Sequence, residues 1–257
     1  MKHKRTIITA ILLGILCIVP PVLLLSLSFF QSWSFPNVLP NSYGIESWQA
    51  LFRGSNNIGK SLLTSFLVAI LVAVLACAMG FFTSMVVSYH KRRRLLLFLT
   101  YLPFALAPVI FAVCIKFYFL KLNLTGTFTG VVLAQLIIAY PYATIAFTGF
   151  WNKQIQAYQL QAITLGATPG YTITHLLLPM AKPMLMVVLF QCFLISWFEY
   201  GLTLIIGVGK VNTLPLKVFQ YLSEANMFQA ALAATLLILP PILLLWVNKK
   251  FVYLKTA

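Results

Sequence analysis

Acidic residues are nearly missing from this sequence. Its 257 residues include no Asp, and the only carboxylates are Glu46, Glu199 and Glu224, against eighteen Lys and Arg. With so few acids there is no cluster of carboxylates, and neither a Ser/His/Asp set nor an HExxH pattern occurs, so the chain offers no catalytic machinery of a familiar kind. A GxxxxGK[ST] phosphate loop is also missing, which excludes the usual ATPase. Cysteine is scarce: Cys17, Cys77, Cys114 and Cys192 each lie inside an apolar run. Without a CxxC pair or a His at ligand spacing they form neither a zinc site nor a disulfide framework, and are expected as small buried hydrophobes. No repeat of 20–50 residues and no low-complexity stretch breaks the chain, which is read as a single domain over 1–257.

What remains is overwhelmingly apolar. Hydrophobic residues make up 61% of the chain and the mean hydropathy is +0.95, well beyond what one soluble core needs. The formal charge of +15 does not imply nucleic-acid binding, because the bases fall between apolar runs of spanning length, as membrane topology requires. Lys2, His3, Lys4 and Arg5 ahead of an apolar run imitate a secretory signal. The run continues past Pro20 and Pro21 to Phe30, too long for a signal core, and bulky Leu16 precedes Cys17 where a lipoprotein site needs a small residue, so an uncleaved first helix is expected.

Crossing a bilayer takes roughly 20 apolar residues, which places spans near 6–30, 61–89, 95–119, 127–150, 183–208 and 229–248. The expected fold class is an all-α integral membrane protein of about six transmembrane helices. Twelve of the eighteen bases fall in the terminal segments, at 91–94 and between Lys153 and Lys182; the opposite side holds Arg53, Lys60, Lys116, Lys121, Lys210 and Lys217. The positive-inside rule then puts both termini in the cytoplasm. The run His90, Lys91, Arg92, Arg93, Arg94 is the strongest topological cue, and it could also bind acidic lipid. On the outer side, Trp33, Phe35, Pro36, Pro40, Tyr43 and Trp48 read as short interfacial pieces or as a surface that receives a partner.

The informative stretch is the cytoplasmic 151–183, WNKQIQAYQLQAITLGATPGYTITHLLLPMAKP. Ile155 to Leu165 holds no Gly or Pro and is helix-competent, Gly166 allows a turn, and Thr168 with Pro169 suits an N-cap and first helical residue. A second short helix should run through His175 towards Leu178, limited by Pro179 and Pro183. The lone His175 is read as a polar face residue. Leu160, Leu165 and Tyr171 would leave such a knob with exposed apolar surface that a partner groove could cover.

GATPGYTITHLLLP, with Gly166, Ala167 and then Leu178-Pro179 at this spacing, resembles the cytoplasmic EAA loop of binding-protein-dependent ABC importer permeases. Residues 195–222, with Thr213-Leu214-Pro215, resemble the fifth span and following outer loop of the polyamine, thiamine, ferric iron and aminophosphonate branch. The resemblance covers nearly the whole chain. It implies a type I permease in the bacterial inner membrane, with the loop at 151–182 docking on an ATPase through Leu160, Ala162, Leu165, Gly166, Ala167, Thr168, Pro169, Tyr171, Leu178 and Pro179. It further implies two ATPase subunits carrying ATP and Mg, a second permease subunit (a paralogue or another copy), and an extracytoplasmic solute-binding protein, with no cofactor on this chain. The loop departs from the family in having Leu160 and Gln161 where Glu and Ala are usual, so its ordinary acidic residue is missing.

Glu199 is the only carboxylate within a predicted span, and a charge there needs a cavity or a partner. With Trp197, Tyr200, Tyr140 and Tyr142 it could present aromatic faces and one negative charge to a cationic or zwitterionic solute; a gating or inter-subunit hydrogen bond serves the residue equally well. Gly201, Gly207, Gly209, Pro103, Pro108 and Pro141 fit helix packing or bends in a moving pore. An ion-gradient carrier would show internal repeats and more midplane charge than this; a non-transporting scaffold stays open.

Overall fold

The computed structural model describes residues 2–32, 42–52 and 57–253. Trp33, Phe35, Pro36, Pro40, Arg53 and Lys255 lie outside them, as do the side chains of residues 2–11, of Cys17 and of Lys249 and Lys250. Helix dominates, because a backbone in lipid must satisfy its own hydrogen bonds. The residues group into two compact units, one within 1–64 and 212–242, the other within 65–211 and 243–257.

The first unit contains α1 (Lys2–Leu27), a two-stranded antiparallel ribbon of β1 (Phe30–Ser32) and β2 (Ser42–Tyr43), and α2 (Glu46–Phe52). Phe29 stacks on Trp48 at 5.6 Å and Phe30 meets Tyr43 edge-on at 5.1 Å, so the aromatics of this segment tie the ribbon and α2 together. The chain then enters α3 (Asn57–Tyr89), 33 residues with no proline.

The second unit holds most of α3, then α4 (Arg93–Tyr101), a single 3-10 turn, α5 (Pro108–Lys121), α6 (Phe128–Phe147), α7 (Lys153–Thr164), α8 (Pro169–Tyr171), α9 (Leu178–Trp197) and α10 (Gly201–Gly207). Of the two remaining helices, α11 (Leu214–Ser223) and the part of α12 (Met227–Tyr253) up to residue 242 belong to the first unit. Small residues let α3 and α6 approach closely: a Cβ on Gly80 would sit 2.7 Å from Ala143 Cβ and 2.9 Å from Thr144 N, the packing that replaces hydrophobic drive in lipid. Ala112 of α5, Ala134 of α6 and Leu202 and Ile206 of α10 are fully buried together.

Among the described residues, four helices are long and apolar enough to cross a membrane: Asn57–Tyr89, Phe128–Phe147, Pro169–Trp197 and Met227–Leu244. The span expected at 95–119 is instead a bent pair, Arg93–Phe104 and Pro108–Lys121, at 94°. The cause is Pro108, which has no N–H and forces Ala107 into extended geometry (φ −61°, ψ 140°), with Leu106 also extended. The first expected span coincides with α1, which stays helical through Pro20 and Pro21.

The fifth expected span, 183–208, differs at both ends. Pro179 and Pro183 do not limit the helix, which runs unbroken over Pro169–Trp197. Thr172–Leu177 is a π-helical segment in which Leu178 N–H reaches Ile173 O, five residues back. This looser winding shifts the hydrogen-bond register just where a proline would leave a carbonyl orphaned. At the far end the helix stops at Trp197 and restarts as α10 after Glu199. Of the cysteines, Cys77 and Cys192 are buried as expected, whereas Cys114 is exposed on α5.

Candidate functional site: a docking loop and a polar cavity

The 151–183 loop is anchored by residues the sequence did not single out. Trp151 is only 4% exposed and donates its indole N–H to Ser84 Oγ of α3 at 2.7 Å. Its ring packs against Phe81 at 5.0 Å and Phe150 at 4.9 Å, with Tyr89 edge-on at 6.1 Å. Asn152 caps α7, accepting from Ile155 N–H at 3.0 Å, and Ile155 is buried. The cap was legible in principle, since Asn directly before a helix-competent run is a start signal; the Trp151–Ser84 pairing spans 67 residues and has no local signal.

Past α7 the chain turns as the glycine requires. Gly166 sits at φ +85°, Leu165 N–H bonds to Gln161 O at 3.0 Å and Ala167 N–H to Ala162 O at 3.0 Å, closing the helix with a left-handed residue. Thr168 then caps the next helix through Tyr171 N–H at 3.3 Å, with Pro169 at its first position. The Tyr171 ring stacks on His175 at 4.2 Å, and His175 is exposed with Nδ1 2.8 Å from Thr174 Oγ1.

Leu160, Leu165 and Tyr171 are exposed, Leu165 at 87%, and Ile163 joins them. Ala162, Leu165, Gly166, Ala167, Thr168 and Tyr171 line one concavity of about 520 Å³. Leu160 and Pro169 face a second, of about 320 Å³, floored by Met85, Tyr89, Thr172 and Leu177. Leu178 is half-buried and Pro179 exposed, further along the same rod. Eight of the ten residues named for docking thus line two adjacent hollows on a firmly held knob.

The membrane-embedded residues divide differently. Glu199 and Tyr200 line a cavity of about 350 Å³ with Gln135, Ser196, Pro108 and Phe198. Glu199 Oε1 accepts from Leu202 N–H at 2.7 Å, and Oε2 from Thr203 N–H at 3.0 Å and Thr203 Oγ1 at 2.9 Å. The carboxylate therefore caps α10, which explains the break at Phe198–Tyr200: it captures donors that a continuous helix would have used. Thr203 Oγ1 also accepts from Gln135 Nε2 at 2.9 Å, and Ser196 Oγ donates to Gln135 Oε1. A relay of four polar side chains, from α6, α9, α10 and the break between the last two, runs beside the cavity. Gln135, a lone amide amid the apolar run of α6, was the sequence's unused signal for it.

Trp197, Tyr140 and Tyr142 do not line this cavity. Trp197 is fully buried, stacked on Phe193 at 5.5 Å with Phe66 edge-on at 6.5 Å. Tyr140 donates to Thr83 Oγ1 at 3.0 Å and Tyr142 to Gln191 Oε1, so both phenols join helices. Gly201 packs against Val109 of α5, consistent with close helix contact. Among the described residues no three His, Cys, Asp or Glu side chains gather as a metal site would need.

Comparisons with known proteins bear on this arrangement. A family model described as binding-protein-dependent transport system inner membrane component matches residues 73–251. The molybdenum transport system permease protein ModB of Mycobacterium tuberculosis is 30% identical over 195 residues, covering 69% of this chain and 73% of the relative. The 2-aminoethylphosphonate transport system permease protein PhnV of Salmonella typhimurium is 24% identical over 245 residues, covering 93% and 90%. In fold, the chain is similar to a crystal structure of a bacterial ABC transporter involved in importing alginate, an acidic polysaccharide, with a TM-score of 0.66, 16% identity and 96% of each chain covered.

Proposed function

Because the chain belongs to the family of inner-membrane components of binding-protein-dependent transport systems, and so is a permease subunit of an ABC importer, we propose that its 153–179 segment is the docking site of a separate ATPase subunit. The observation that carries this reading is the exposed apolar set Leu160, Ile163, Leu165 and Tyr171 on a knob pinned by Trp151 and Ser84. Soluble surfaces do not leave such a patch uncovered without a partner. In this reading two ATPase chains hold ATP and Mg, a second permease subunit completes the pore, an external binding protein delivers the solute, and both termini are cytoplasmic. Closure of the ATPases drives the pore only if the knob binds their two states with different affinity.

Leu160 stands where the family's loop has Glu, so the docking contact here is apolar rather than ionic. Purifying the chain in mild detergent through a C-terminal tag tests this: a chain with a Walker phosphate loop should co-purify, and Leu165→Asp with Tyr171→Asp should release it. An assembly that never contains such an ATPase, in several detergents, would overturn the docking reading.

For the solute, the reading is a small zwitterion or cation. Support comes from Glu199 and Tyr200 at the cavity wall and from the aminophosphonate relative that aligns with 93% of the chain. The molybdenum relative at 30% identity supports a second reading, a metal oxyanion. Competition settles the choice: uptake blocked by excess 2-aminoethylphosphonate and not by molybdate favours the zwitterion, and the reverse removes it.

A further inference from the structure

The hairpin after α3 and the helix that follows it expose surface that includes none of the residues assigned above to docking or to the Glu199 cavity. His90 Nδ1 accepts from Arg92 N–H at 3.0 Å and Arg93 N–H bonds to His90 O at 3.1 Å, so the turn is fixed by backbone and imidazole. All four cationic side chains, Lys91 to Arg94, are left exposed. The chain has just three carboxylates to offer them, and each is placed elsewhere in the sequence: Glu199 caps α10, Glu46 opens α2, and Glu224 accepts from Gln220 at 2.9 Å. Helix α6, against which α4 packs, contains no acid at all. Neither the hairpin, nor α4, nor the α6 face it packs on supplies an acidic side chain to these four cations.

Directly after the bases, Leu95, Phe98, Leu99 and Leu102 are all exposed. Their spacing of three, four and seven residues puts them in one stripe, while Leu96, Leu97 and Thr100 on the other face are half-buried. No residue of α4 is fully buried, and the segment is set off from α5 by the 94° bend. One end of a short helix thus carries concentrated positive charge and its side carries apolar surface in continuous register. That is the complement of a phospholipid with an anionic headgroup and acyl chains.

From this we infer that the Lys91–Arg94 hairpin and α4 form a binding surface for an anionic phospholipid, its headgroup phosphate on Arg92, Arg93 and Arg94 and its chains along Leu95, Phe98 and Leu102. The apolar stripe alone would face any lipid; the guanidinium groups at its end are what select an anionic headgroup. Free inorganic phosphate shares the headgroup chemistry and would use the bases alone.

Native mass spectrometry of the full chain, purified in mild detergent and offered equimolar phosphatidylglycerol and phosphatidylcholine at physiological salt, tests the inference. The wild type should keep phosphatidylglycerol preferentially, by about fivefold for each base engaged. The triple variant Arg92→Gln, Arg93→Gln, Arg94→Gln should fall to near parity, whereas Lys153→Gln with Lys182→Gln, cytoplasmic bases without the stripe, should keep the preference. If the triple variant folds poorly, the wild type decides alone: its preference must shrink several-fold as salt rises from about 0.05 to 0.5 M. Equal retention of the two lipids by the wild type overturns the inference and leaves the charge to an acidic protein partner. An unchanged preference in the triple variant, or displacement of phosphatidylglycerol by excess inorganic phosphate, overturns it as well. None of these readouts involves the ATPase, so failure here leaves the docking reading intact.

Discussion

Glu199 separates two roles that a buried carboxylate can play, and replacing it with Gln distinguishes them. Gln keeps the size but turns one acceptor into a donor. In the native site the two oxygens accept from Leu202 N–H, Thr203 N–H and Thr203 Oγ1 at 2.7–3.0 Å. Whichever way the amide is turned, its NH2 faces at least one of these donors, and the bonds that survive lose their charge assistance. One charge-assisted bond is worth about 1.5–3 kcal/mol. With weakening of the others, the total loss is about 3 kcal/mol, a fall in thermal midpoint of about 6–12 °C for a chain of this size. Glu199→Asp keeps the charge but shortens the reach, and should fall between the two. The assay is thermal unfolding of purified protein in one detergent, run beside uptake. A Gln variant that melts with the wild type while its uptake KM rises would refute the capping argument and assign the carboxylate to the solute.

Other parts of the structure give equally direct outcomes. Trp151→Phe removes the indole N–H but leaves Ser84 Oγ donating to Phe81 O at 2.7 Å; it should cost about 1 kcal/mol and loosen ATPase retention, read by co-purification yield, whereas Trp151→Ala should cost about 3–5 kcal/mol and lower expression. Gly80→Leu forces a side chain into backbone 2.9 Å away, overpacking worth about 1–3 kcal/mol or more and visible as a lower melting point. Gly166→Val places a β-branched residue at φ +85°, a strain of about 1–3 kcal/mol that should uncouple ATP hydrolysis from uptake at normal expression; Gly166→Trp, a harsher change, should do the same, and normal uptake in either would count against the docking reading.

Membrane class, the positions of the apolar runs and the turn and helix start within the 151–183 loop are legible because they rest on local chemistry: run length, the Thr168-Pro169 start and the glycine at the turn. The interruptions were less so. Pro108 was read as a bend or a packing residue, yet hydropathy alone drew 95–119 as one span, since apolar content is blind to direction. Pro179 and Pro183 were read as stops, because the rule that proline ends a helix assumes α-winding, and a π-turn placed before Pro179 lifts that assumption. Glu199 was found by its cost in lipid, but its partners were not. Thr203 is four residues on and could have been weighed as a cap; Gln135 arrives from another helix, and no periodicity announces such a pairing. Trp197 was drawn to Glu199 by sequence adjacency, which at a helix end says little about which way a ring faces.

The π-segment has a geometric consequence. By letting the helix continue past Pro179, it makes Pro169–Trp197 a single helix of 29 residues, about 43 Å long at 1.5 Å per residue. Tyr171, beside the turn at Gly166, is near one tip, and the carboxylate latch on α10 is just beyond the other. No loop interrupts the backbone between the knob and the break at Phe198. The interruptions fall at its two ends, the glycine elbow and the Glu199 clasp, and the length of this one helix sets how far apart they stand.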